Sequence, residues 1–121
     1  MLNSIKQTSS FNIYKSLKHT EETENVHLTP AIKTFMVELY NIFIEYGFYD
    51  EVYDSYYIDF SYSQLSNLTQ FSYNLVVLSM VELSKCGVLV RMVSIDVDSY
   101  SGNKNKKKFL TFISKDFYNL L

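Results

Sequence analysis

Four lysines crowd into five positions, Lys104, Lys106, Lys107 and Lys108, among Ser99, Ser101, Asn103 and Asn105 in the run "SYSGNKNKKK". Ammonium groups at that density, mixed with neutral amide and hydroxyl donors, suit the oxygens of a phosphate backbone and bring no nucleophile or general base. Gly102 lets the turn tighten. With no fold assigned, the run is better read as a solvated hairpin tip, the commoner use of a short lysine cluster.

Other combinations offer less chemistry. His19 and His27 stand in a polar stretch, and with one distant Cys86 they make no structural zinc pattern. Both read as exposed. Cys86, beside Gly87, reads as a small packing residue, because no histidine lies near it in sequence to activate a thiol. In "DVDSYSG", Tyr100 stands where a calcium loop needs its third ligand, and Lys107 falls at the place of the bidentate glutamate. Phosphate-cradling glycine loops are absent from the sequence. These observations argue against an enzyme, and no cofactor or metal is expected.

The elements that must position the lysines follow from pattern. The 121 residues, 47% hydrophobic and 17% aromatic, suit one domain with a real core. No apolar run approaches the ~20 residues that span a bilayer, and the first residues lack a signal-peptide pattern. With a single cysteine, this leads to an expectation of a cytoplasmic protein that does not engage membranes. The net charge of −2 is unevenly spread: residues 29–87 hold seven acids against Lys33 and Lys85, whereas residues 88–121 hold six bases against three acids.

Residues 1–28 are polar, with the acidic cluster "HTEETEN", and are expected to form a loose arm with one short helix near Phe11–Leu17. In "LTPAIKTFMVELYNIFIEYG", Thr29 suits a cap, Pro30 the first helical position and Gly47 a left-handed stop. Ile32, Phe35, Met36, Leu39, Tyr40 and Phe43 repeat at three and four, which predicts a helix over Pro30–Tyr46. An acidic, aromatic connector leads to a short strand at Tyr57–Phe60. Ser61 or Ser63 then caps a brief helix with Leu65 and Leu68 on one side, and Ser72 caps a helix from Tyr73 to Cys86 stopped by Gly87. "VLVRMVSIDVD" and "FLTFI" read as two strands joined by the basic turn, and Ser114 caps a last turn or two through "KDFYNLL".

This order of helix, short strand, helix, turn, helix and hairpin resembles the winged helix-turn-helix domain over Thr29–Ile113. The nearest local resemblance is "LSNLTQFSYNLVVLSMVELSKCGVLVRM", where Leu83, Gly87 and Leu89 sit as in a reading helix that runs into a strand, and Val76 and Met80 form its inward face. The fold implied is α+β: a three-helix core with a short strand, a β-hairpin wing and a short C-terminal helix, spanning residues 29–121. Within that class the chain resembles small DNA-binding proteins of plasmids and phages of Gram-positive bacteria: replication initiators, partition adaptors and relaxosome accessory proteins that bind an origin of transfer.

The resemblance implies a DNA-reading helix, yet here that helix is oily. With Val76, Met80 and Leu83 inward, its outer positions are Tyr73, Asn74, Val77, Leu78, Val81 and Glu82. Only Tyr73 and Asn74 are base readers by type, and no Lys or Arg lies between Lys33 and Lys85 to anchor phosphates around them. Val77, Leu78 and Val81 are therefore assigned to an interface. A second copy of the chain is the preferred cover, with the N-terminal arm or C-terminal segment as alternatives.

DNA contact then falls to the wing: Ser101, Asn103, Lys104, Asn105, Lys106, Lys107 and Lys108, with Arg91 adding a phosphate contact from the strand that enters it. The partners implied are double-stranded DNA with AT-rich repeats and a second copy in a homodimer. The alternative is a non-enzymatic accessory subunit that binds a relaxase, replication or partition protein through the oily helix, or through "DEVYDSYY", which otherwise reads as a solvated connector.

Overall fold

In the helix Pro30–Tyr46 (α2), the buried residues Ile32, Phe35, Met36, Leu39, Tyr40, Ile42 and Phe43 lie on more than one side, so α2 is the element around which the others pack. The Thr29 hydroxyl accepts from the Ile32 N–H at 3.3 Å and Pro30 opens the first turn, which places the start where the sequence does. The stop differs in kind. Gly47 is extended (φ −71°), not left-handed, and its N–H donates to the Phe43 carbonyl at 2.8 Å. A Cβ there would meet that carbonyl oxygen at 2.4 Å, so a close approach and not a positive φ calls for glycine.

The computed structural model describes residues 4–97 and 105–121, with the backbone alone at 94–97 and 105–107. Among the described residues it is an α+β arrangement of five helices and one four-stranded antiparallel sheet. No helix among them is long and apolar enough to cross a membrane.

The largest departure from the sequence reading is at the N-terminus. Where a loose arm with a short helix at Phe11–Leu17 was expected, a helix runs over Ser10–Glu24 (α1), capped by Ser9 and ended by Asn25 in the left-handed region. Ile13 and Leu17 enter the core, each worth roughly 1.5–3 kcal/mol of burial. Their polar companions are satisfied locally: Ser16 donates to the Leu120 carbonyl at 3.3 Å and Thr20 to the Ser16 carbonyl at 3.0 Å. Glu21 locks α1 to α2, accepting from Lys33 Nζ and from the Leu28 N–H, both at 2.8 Å. Ahead of α1, Lys6 is held from two sides: its N–H donates to the Tyr118 hydroxyl and its carbonyl accepts from the buried Tyr40 hydroxyl, both at 2.8 Å.

After α2 the acidic connector contains a strand the sequence reading missed, Phe48–Asp50 (β1). It pairs with Ser55–Ile58 (β2) through a tight turn in which Asp54 takes φ 58°. The strand expected at Tyr57–Phe60 thus begins earlier and ends at Ile58. A reciprocal cap follows: Ser61 Oγ accepts from the Gln64 N–H at 3.1 Å and Gln64 Oε1 from the Ser61 N–H at 2.8 Å, opening Tyr62–Thr69 (α3). Leu65 is buried, but Leu68 turns outward. Ser72 caps Tyr73–Lys85 (α4), and Gly87 at φ 80° supplies the left-handed exit.

Two long strands, Leu89–Val97 (β3) and Asn105–Ile113 (β4), pair antiparallel. Ser114 then caps the short helix Lys115–Leu120 (α5). The sheet order is β1-β2-β4-β3. Register places Ile58, Thr111 and Arg91 side by side across β2, β4 and β3. Alternation puts Arg91 on the same face of β3 as the buried Leu89, so a cation lies on the helix-facing side of the sheet.

Candidate nucleic-acid interface

Arg91 is the centre of the site because of where that register puts it. Its guanidinium lies over the Tyr62 ring at 4.7 Å and near the Phe109 ring at 5.6 Å. Such stacking holds the planar cation while leaving its N–H edges unused. Nε and Nη1 are buried and find no hydrogen-bond partner among the described residues. A desolvated donor without an acceptor is costly, and a charged one more so. The arrangement suits an anion.

The surroundings form a cavity of about 510 Å³ between the N-terminal ends of α3 and α4 and the sheet. Tyr62 and Tyr73 meet edge to face at 6.4 Å along its wall. Lys108 is the second cation at its rim, 3.5 Å from Asp59 Oδ2. Both partners of that pair are substantially solvent-exposed, so the contact adds little stability and leaves the ammonium available to another anion.

The outer face of α4 follows the sequence reading. Val76, Met80 and Leu83 are buried, Tyr73 and Asn74 are exposed in the first turn, and Val77 is half-buried. Leu78 is 49% and Val81 39% exposed, so among the described residues neither the N-terminal segment nor the C-terminal segment covers them fully. α1 packs instead on α2 and α5.

The basic run is redistributed. Asn105, Lys106 and Lys107 were expected in a flexible turn, yet they begin β4, opposite Val97, Asp96 and Ile95, and Lys108 lies opposite Ser94. Ladder pairing, not the local abundance of Lys and Asn, decides their backbone. Ser99, Ser101, Gly102, Asn103 and Lys104 fall outside the described residues. Arg91 and Lys108 are brought together at the foot of the hairpin with Tyr73; Asn74 and the α4 apolar positions are not part of that cavity.

Compared with protein families, with curated proteins and with solved structures, the chain matched none.

Tyr62, Phe109 and Asp59 belong to the site and were not singled out from the sequence. The available signal was slight: Tyr62 follows the capping Ser61, and Phe109 opens "FLTFI". His19 and His27 are exposed, and His27 Nδ1 lies 3.6 Å from Glu21 Oε2. Burial pushes the Cys86 thiol up, away from the thiolate a nucleophile needs, and Sγ donates to the Leu83 carbonyl at 3.6 Å. A second cavity of about 340 Å³ lies between the β1–β2 turn and α5. There the polar groups answer each other: the Tyr49 hydroxyl donates to Asp54, which with some burial pushes it up to about 12. Unlike the Arg91 cavity, it leaves no buried cation seeking an acceptor.

Proposed function

We propose that the chain is a winged helix-turn-helix protein that binds double-stranded DNA through its basic hairpin, with the outer face of α4 reserved for a second copy. The observation that carries this reading is the Arg91 guanidinium, stacked and short of acceptors, beside Lys108 at the foot of a hairpin whose β4 opens Asn105–Lys106–Lys107–Lys108. Supporting it, α2, β2, α3, α4, β3 and β4 follow in the order of that fold, and β2 pairs with the second hairpin strand.

In this reading the lysines bind phosphates along the duplex, and Arg91 and Lys108 anchor the hairpin on one of them. Tyr73 and Asn74 are the only polar positions of the first α4 turn that can approach bases. Replication origin, centromere-like repeat and origin of transfer are the DNA classes implied by the resemblance to plasmid and phage proteins. The test is a gel-shift on AT-rich repeats from the chain's own genetic neighbourhood, at low and moderate salt. Joint substitution of Lys104, Lys106, Lys107 and Lys108 by Ala abolishes the shift if the hairpin leads, while Asn74→Ala leaves it. The reverse pattern refutes hairpin-led docking.

A second reading draws on the exposure of Leu78 and Val81, which suits a protein partner as well as a second copy. The chain is then an accessory subunit of a replication or transfer enzyme. Failure to shift DNA at low salt, together with a stable complex with a protein encoded beside it, selects that reading.

A further inference from the structure

The cavity at Arg91 is larger and more aromatic than a phosphate contact requires. A phosphate group needs donors; it does not need about 510 Å³ walled by tyrosine and phenylalanine rings. We infer that this cavity is a seat for one unpaired nucleotide, its phosphate on Arg91 and Lys108 and its base against Tyr62 and Tyr73. The inference rests on the nucleic-acid reading above and adds a single-stranded ligand to it.

Three features favour that ligand. The Arg91 guanidinium lines the cavity with two buried nitrogens short of acceptors among the described residues, so its charge is poorly compensated there, and a phosphate in the cavity supplies the counter-charge a guanidinium binds best. Tyr73 is 51% exposed and meets Tyr62 edge to face, an arrangement that leaves ring surface open to a base. The space is an open cleft between two helix ends and a sheet, roomy enough to admit a base withdrawn from a duplex stack. Asp59 at the rim opposes an anion; an entering phosphate draws Lys108 away from it, and the Asp59 carboxylate, 37% exposed, is then screened by water.

The position gives the seat a use. It lies at the foot of the basic hairpin and beside the first turn of α4, the surface that the proposed reading turns toward DNA. A nucleotide captured there holds a melted or nicked site open, as DNA processing at an origin requires.

The experiment measures binding of a labelled oligothymidine single strand and of a blunt duplex of equal length, with thymidine 5′-monophosphate and inorganic phosphate as competitors. The expected result is single-strand binding that the nucleotide displaces and inorganic phosphate at the same concentration does not. Arg91→Gln and Tyr73→Ala each weaken it by about tenfold or more, in line with the stacking contribution of one base. The half-exposed Tyr73 makes its variant the safe one for folding, and thermal unfolding checks the Arg91 variant. No single-strand binding, equal displacement by inorganic phosphate, or an unaffected Tyr73→Ala variant overturns the inference. Duplex binding without single-strand binding sinks the nucleotide seat alone, and the converse sinks the duplex reading alone.

Discussion

Two glycines show how the same residue type answers different demands. Gly87 sits at φ 80° with nothing within 4 Å of a built Cβ, so Gly87→Ala meets only the left-handed backbone penalty, about 1–2 kcal/mol. Gly47 has an ordinary φ, and Gly47→Ala drives a methyl into the Phe43 carbonyl, a packing conflict of roughly 1–3 kcal/mol. Asparagine separates the causes, because it tolerates the left-handed region but not the clash. In urea unfolding, Gly87→Asn should recover much of the loss and Gly47→Asn none. Glu21 carries a pH dependence. Burial pushes its carboxyl up, but the Lys33 ammonium and the Leu28 N–H outweigh this and hold it below the ordinary 4.5. Its folded value is therefore lowered, so the stabilisation is present in full above the unfolded value and is lost as pH falls through the folded one. Wild type and Glu21→Gln should differ in urea midpoint at neutral pH and converge below pH 4.5; parallel curves would mean that Glu21 is not the source.

At the scale of elements, α4 has an inward face fixed by Val76, Met80 and Leu83 and an outward face left oily at Leu78 and Val81. Leu78→Glu places a charge where water already reaches, so the fold should survive, and on the proposed dimer light scattering should report a dimer for wild type and a monomer for the variant. An unchanged size would remove the dimer through α4. The elements legible in the sequence were those with a strong local signal: α2, α3 and α4 each carry a Ser or Thr cap, and α2 and α4 add apolar residues spaced at three and four. α1 was underread because half of its buried residues are polar, Ser16 and Thr20 beside Ile13 and Leu17, so no apolar stripe appears. β1 was missed because three residues of a hairpin leave no periodicity and its pairing is decided by β2. The same holds for Asn105–Lys108, a run with loop composition made into strand by its partner β3. Of the site, the cations were legible by type, but the stack that makes Arg91 distinctive joins three elements remote in sequence.

For the molecule as a whole, charge is segregated, with residues 29–87 acidic and residues 88–121 basic. On the proposed reading DNA approaches from the hairpin side, and its affinity should fall with salt. Each of Lys106, Lys107 and Lys108 replaced by Ala should reduce the slope of log affinity against log salt by about one unit. A slope that does not change would place the phosphates elsewhere. The fold also fastens its two ends together at Lys6, whose N–H reaches across to the Tyr118 hydroxyl while its carbonyl is taken by Tyr40. Lys6 is itself exposed, in a segment with no helix or strand, where amide protons ordinarily exchange with solvent at once. Its proton should instead exchange slowly. Tyr118→Phe should release it, whereas Tyr40→Phe should leave that N–H bonded and slow. A single backbone proton near the start of the chain thereby reports, by deuterium uptake, whether the helix at its other end is docked.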